Sequence, residues 1–191
     1  AGTLPPTTAV IAAGRRAIAP AEYNNQAALS LASAGIGDAE AQTFLKMLSY
    51  RTVGTRAGWE GLADHVRGHE RHLGAVTRVV YLALPPAEMA PALDALARVG
   101  LTAGEGPVRV VVEKPFGHDL ASAQVLNAQI HAHLDESAVY RIDHYLGKDT
   151  VQNLLVLRFA NAIFESVWHR DRIESVEILV AEADGVGRRA G

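Results

Sequence analysis

Short apolar runs alternate with longer amphipathic stretches along most of this chain, the pattern of an α/β domain built on a parallel sheet. Thr8 to Ala13 is a strand candidate that stops at Gly14, Arg15 and Arg16. The alanine-rich stretch from Pro20 to Leu48 reads as two helical pieces broken near Gly35 to Gly37, with Asp38 placed to cap the second. Leu48 to Val53 follows as a strand, then Glu60 to Leu73 as a helix. Val76 to Leu84 is a strand stopped by Pro85 and Pro86. Met89, Leu93 and Leu96 then share a helical face that ends near Gly100. Val108 to Val112 is almost pure β-former, as suits a strand buried on both faces. Asp119 can cap a helix on which Leu120, Ala123, Leu126, Ile130 and Leu134 recur at three and four residues. Val139 to Ile142 is the next strand.

After His144 the pattern changes: Tyr145 to Phe159 and Asn161 to Trp168 read as helices, and Ile173 to Glu182 as a long alternating strand. A second domain is expected there, with residues 1–142 as the first and 143–191 as the second. The chain starts at Ala1 and stops in the turn-like run Gly185 to Gly191, so both ends read as cuts.

Composition narrows the chemistry. With 191 residues, 49% hydrophobic and 20% charged, the chain is globular, not disordered. It has no apolar run of membrane-spanning length and no signal-like start, so a cytoplasmic location without membrane attachment is the default. The absence of cysteine removes thiolate chemistry and disulfides, and a net charge of −3 argues against nucleic acid as a partner. Lysine fills only three of 18 basic positions, Lys46, Lys114 and Lys148, so these sites can be chemically chosen.

Two of those lysines fall in the densest clusters of reactive groups. Glu113, Lys114, Pro115, Phe116 and Gly117 follow a buried strand, at the edge where open α/β sheets hold ligands. An ordinary strand-to-helix turn with a solvated lysine explains the same string, and both readings stay open. Arg141, Ile142, Asp143, His144, Tyr145, Leu146, Gly147, Lys148 and Asp149 bring together groups that suit a phosphate dianion, with a carboxylate better fitted to orienting an imidazole. A salt-bridged surface turn is the alternative. Arg15 and Arg16 close the first strand, where an arginine can accommodate the 2′-phosphate of NADP or simply sit on the surface. His65, His69 and His72 have helical spacing that could bind zinc or nickel, but Asp64, Arg67, Glu70 and Arg71 make that segment read as a solvated face.

Four strings carry a resemblance: YLALPP from Tyr81 to Pro86, EKPFG from Glu113 to Gly117, YRIDHYLGK from Tyr140 to Lys148, and VQNLLVLRFAN from Val151 to Asn161. In this order they resemble the glucose-6-phosphate dehydrogenase family, most strongly from Thr77 to Glu182. The resemblance implies an incomplete Rossmann-type coenzyme domain followed by the beginning of an α+β substrate domain. It implies oxidation of glucose 6-phosphate at C1 to the lactone with hydride transfer to NADP, the first step of the oxidative pentose phosphate pathway. By position, His144, Tyr145 and Lys148 are implied as binders of the substrate phosphate and Glu182 as a ligand of the sugar hydroxyls. Lys114 is implied between substrate and coenzyme, and Asp143 as the carboxylate that orients the catalytic base. Arg15 and Arg16 are implied at the 2′-phosphate, Tyr81 along the coenzyme site and Pro115 beside the nicotinamide.

The family's glycine-rich coenzyme turn and its Gln-Asn-His base segment are expected before Ala1 and after Gly191. The chain alone is therefore expected to be inactive and poorly stable, with two unpaired strand edges where a first strand would lie, although its parent would be a homo-oligomeric enzyme. Two other classes stand beside this reading. One is a catalytically dead remnant that binds a sugar phosphate or NADP, and the other is a histidine-based metal module.

Overall fold

The computed structural model describes residues 4–179, apart from 6 and 75. It divides into two compact units, residues 1–142 and 143–191. In the first unit the order is β1 (Val10–Gly14), α1 (Pro20–Ser33), α2 (Asp38–Met47), β2 (Leu48–Thr52), α3 (Arg56–Leu73), β3 (Arg78–Leu82), α4 (Pro86–Arg98), β4 (Val108–Glu113), α5 (Leu120–His131) and β5 (Val139–Ile142). Every strand pairing is parallel, as expected for strands joined through helices.

The strands form two sheets, one ordered β1-β2 and the other β3-β4-β5. Among the described residues no pairing joins β1 to β3, although both sheets share one core. Val53 after β2 and Leu62 and Ala63 of α3 belong to the same buried cluster as Leu82 of β3 and Val110 and Val112 of β4, and Ile11 of β1 packs against it. The central helix of that core is α4, whose Met89, Leu93 and Leu96 are buried on the face that their spacing predicts.

Local chemistry explains most boundaries. Thr55 caps α3 by accepting from the Gly58 N–H, so the helix starts a turn before Glu60. Asp119 caps α5, accepting from the Ser122 N–H at 2.7 Å, and the Ser122 side chain accepts in turn from the Asp119 N–H. These bonds hold the Asp119 carboxyl below its usual range. Asp38 is the first residue of α2, and Gly37 occupies the cap without a side-chain bond. Gly117 sits at φ 109°, and a Cβ there would meet the Ala123 nitrogen at 2.7 Å, so this turn requires glycine.

Three expectations are corrected. β4 is not buried on both faces: Val110 and Val112 are fully buried, but Arg109 on the other face is exposed, its guanidinium 5.9 Å from the Tyr140 ring centroid. In the second unit α6 (Asp149–Phe159) begins only after a run of turns, and α7 (Ala162–Glu165) is a single turn. No strand forms over residues 173–179, and residues 180–182 lie outside the described residues.

Candidate functional site

In a parallel sheet every strand points the same way, so the residues after β3 and β4 come out at one carboxyl edge, and Arg15 after β1 reaches Glu88 in the first turn of α4, which follows β3. At the end of β1, Arg15 and Arg16 follow Gly14 directly. The Tyr50 hydroxyl donates to the Arg16 carbonyl at 2.6 Å, and the Tyr50 ring stacks on Tyr23 at 4.6 Å between centroids. This ties the arginine turn to β2. The Arg15 side chain remains 75% exposed, with one contact to Glu88 Oε1 at 3.2 Å. Exposed pairs of this kind contribute about 0–1 kcal/mol, so Glu88 is readily displaced by a more highly charged anion. Guanidinium donors at a strand end are of the kind that suits a phosphate group.

Between β3 and β4 the Tyr81 hydroxyl donates to the Glu113 carboxylate. That hydrogen bond, with smaller contributions from desolvation and the carboxylate charge, raises the Tyr81 pKa and keeps the phenol a neutral donor. Lys114 follows Glu113 at the strand end, exposed, and its peptide bond to Pro115 is cis. Phe116 turns inward and packs against the core, which anchors the loop that carries the lysine.

The second unit opens with Asp143, His144, Tyr145 and Lys148 on consecutive turns. Asp143 is half-buried, and its Oδ1 accepts from the Tyr145 N–H at 3.0 Å. Its carbonyl accepts from Leu146, while Gly147 donates to His144 and Lys148 to Tyr145. These turns bring the Lys148 ammonium to 4.5 Å from the Tyr145 ring centroid. His144, Tyr145 and Lys148 are all exposed, and Lys148 occupies the N-cap position of α6. An exposed ammonium beside a phenol at the start of a helix suits a bound anion.

Arg141 does not join that group. Its guanidinium is bonded to both oxygens of Glu136, at 2.7 and 3.2 Å, and to Asn127 Oδ1 at 2.5 Å, holding the Glu136 carboxyl below its usual range. Arg141 is therefore a brace between α5 and β5. Glu182 lies outside the described residues.

The histidine cluster is also accounted for without a metal. Ser49 Oγ lies 3.0 Å from His65 Nε2, while the Arg51 guanidinium lies 2.6 Å from His65 Nδ1. Arginine only donates, so Nδ1 must accept and Nε2 must carry the proton. Ser49 is then the acceptor, and this serine–histidine pair cannot activate a nucleophile. His69 meets His65 edge-on at 4.8 Å. Among the described residues no group of three His, Cys, Asp or Glu side chains could hold a metal ion. This network is not readable from sequence spacing, because the serine and arginine lie on β2 and the histidine on α3.

The parallel strands, the covering helices and the cations at the strand ends define a Rossmann-like α/β domain of the dinucleotide-binding class. Residues 1–153 match the model of the glucose-6-phosphate dehydrogenase NAD binding domain, and residues 155–191 match that of the C-terminal domain. The chain belongs to the glucose-6-phosphate dehydrogenase family. It is 38% identical over 196 residues to glucose-6-phosphate 1-dehydrogenase of Treponema pallidum, covering 98% of this chain and 38% of that protein. A plant relative, the cytoplasmic glucose-6-phosphate 1-dehydrogenase 6 of Arabidopsis thaliana, is 42% identical over 156 residues, covering 78% of this chain and 30% of that protein. A solved glucose-6-phosphate dehydrogenase in complex with its substrate glucose 6-phosphate superposes with a TM-score of 0.79 at 33% identity, over 89% of this chain and 36% of the other. The chain thus spans well under half the length of the relatives it matches.

Proposed function

We propose that this chain is part of an NADP-dependent oxidoreductase that oxidises C1 of glucose 6-phosphate to the lactone, with residues 1–142 serving the coenzyme and residues 143–191 opening the substrate domain. The observation that carries this reading is the turn-borne group His144, Tyr145 and Lys148, in which an exposed ammonium stands beside a phenol at the head of α6. In it Lys148 and His144 neutralise the substrate phosphate, and Tyr145 donates to a phosphate oxygen. Asp143, fixed by the Tyr145 N–H, orients the base that takes the C1 hydroxyl proton. Glu182 is assigned to the sugar hydroxyls.

NADP, when bound, supplies the hydride acceptor. Arg15, helped by Arg16, holds its 2′-phosphate, while Tyr81 and Pro115 line the coenzyme site. Lys114 is placed by the EKPFG turn to serve both ligands. None of the eight histidines of this chain takes the role of general base in this reading, because His144 is engaged with phosphate. A general base contributes about 10²- to 10⁴-fold, so the 191-residue chain alone is expected to form no measurable NADPH. The cytoplasmic name of the plant relative supports a cytoplasmic location, and the parent enzyme is read as a homo-oligomer.

The test is Lys148→Ala in a full-length protein carrying this segment. A charge-assisted hydrogen bond to phosphate is worth about 1.5–3 kcal/mol, so KM for glucose 6-phosphate should rise roughly 10- to 100-fold. An unchanged KM would remove Lys148 from the phosphate site. Titration of the 191-residue chain with glucose 6-phosphate separates the enzyme from a binding remnant: saturable binding lost in Lys148→Ala, in a protein whose parent shows no turnover, would favour the remnant.

A further inference from the structure

The amino-terminal edge of the β3-β4-β5 sheet, opposite the edge that carries Lys114, holds a cavity of about 460 Å³. It lies between the last turns of α3, the first residue of β3 and the loop that follows α4. Its charged lining is Arg67, Glu70, Arg71, Arg78 and Glu105.

These groups are not equivalent. Arg78, only 11% exposed, donates from Nε and Nη2 to Glu70 Oε1 at 3.0 and 2.6 Å, and from Nη1 to the Leu101 and Ala103 carbonyls at 2.7 and 2.9 Å. It and Glu70 cancel each other and form a rigid wall. Arg67 donates to the Val99 carbonyl at 2.5 Å and lies 3.8 Å from Asp64. Arg71 is exposed and has no hydrogen-bond or ion-pair partner among the described residues. The loop is held against these arginines by glycines. A Cβ on Gly104 would stand 3.2 Å from Arg78 Nη2, one on Gly100 3.1 Å from Arg67 Nη2, and one on Gly106 2.1 Å from the Val76 carbonyl oxygen. With Arg78 paired to Glu70 and Arg67 beside Asp64, Arg71 is the guanidinium of the lining that no carboxylate engages among the described residues, with Glu105 the remaining charged group.

We propose that this cavity is a second anion site that takes a small phosphate-bearing molecule, with the phosphoryl group against Arg71 and Arg67 beneath the loop of residues 100–106. Its volume lies within the usual range for small-ligand sites of about 300–1,000 Å³. Guanidinium is the cation best matched to phosphate oxygens, because two of its N–H groups can donate in parallel. Arg71 also stands in the last turn of α3, where a cation offsets the negative helix end, so the experiment must separate binding from stability.

Inorganic phosphate and pyrophosphate are titrated into the ¹⁵N-labelled 191-residue chain while the backbone amides of Gly104 and Gly106 are followed, with chloride matched for ionic strength. The expected result is saturable shifts at both glycines, at least tenfold weaker apparent affinity in Arg71→Gln, and no change in Lys148→Ala. Partial recovery of affinity in Arg71→Lys would support the charge assignment. Shifts of equal size with chloride, shifts confined to residues 144–148, or an Arg71→Gln variant that titrates like the wild type would each overturn the proposal. Loss of the response in Lys148→Ala alone would instead place the phosphate in the turn-borne group at the head of α6.

Discussion

At the scale of single residues, His65 shows how one donor fixes the chemistry of its neighbours. Its pKa is lowered by burial first, then by the Arg51 charge and His69, so the native state holds it neutral. An unfolded chain binds this proton near pH 6.5, whereas the native state resists it. The contribution of His65 to stability is therefore complete above that pH and declines as the pH falls through the unfolded value toward the lower folded one. Urea midpoints at pH 7.5 and 5.5 should converge in His65→Gln relative to wild type, and equal slopes would place the acid sensitivity elsewhere. On the coenzyme side, Arg15→Ala in a full-length protein should raise the KM for NADP much more than that for NAD, because only NADP carries the 2′-phosphate. Steady-state kinetics with both coenzymes checks this. That Arg15 follows β1 and that Tyr145 and Lys148 stand in the turns after β5 was legible in the sequence, since strand ends and motif strings mark those positions. The engagement of Arg141 was not, because Asn127 and Glu136 reach it only after α5 has folded back beside β5.

Among the elements, α4 is the one on which the first unit depends most. Met89 and Leu93 are completely buried between the sheets and the flanking helices. Leu93→Ala removes methyl groups from a site with no solvent access and should cost about 2–5 kcal/mol. Far-UV circular dichroism during urea titration should show loss of a cooperative transition at 25 °C, and a midpoint near wild type would mean that the core relaxes into the space. Apolar spacing was enough to place all five strands and the first five helices, most clearly α3, α4 and α5, which bury a stripe against this core. It failed after His144, where the helix expected from Tyr145 begins only at Asp149. In α6 and α7 the apolar Leu154, Val156, Phe159 and Ile163 are all exposed, so periodicity gave no inward face from which to judge length. It also misjudged β4, where four valines in five residues implied two covered faces but Arg109 marks an open one.

The whole molecule presents an unusual amount of apolar surface. Tyr145, Leu146, Leu154, Leu155, Val156, Phe159, Ile163 and Phe164 are exposed within the second unit alone. Exposed apolar side chains in such number bind other apolar surfaces or dyes. The 191-residue chain should therefore enhance anilinonaphthalene sulfonate fluorescence under native conditions, with a large decrease when Phe159 and Ile163 are both replaced by serine. The alternation of strand and helix made the α/β class readable from the sequence, whereas the division into two sheets rested on the family resemblance and then on the observed pairing.

That division also constrains how copies of this chain can meet. Among the described residues β1 and β3 each carry an unpaired edge, and the strands within each sheet run parallel. A twofold pair joins like edges and sets them antiparallel. Joining the β1 edge of one copy to the β3 edge of the next preserves the parallel ladder but uses two different surfaces, and such head-to-tail contacts do not close unless the rotation completes a ring. Self-association through unlike edges that completes no ring would thus take the form of an open series. In sedimentation velocity its signature is a coefficient that climbs steadily with concentration, without a plateau at the dimer.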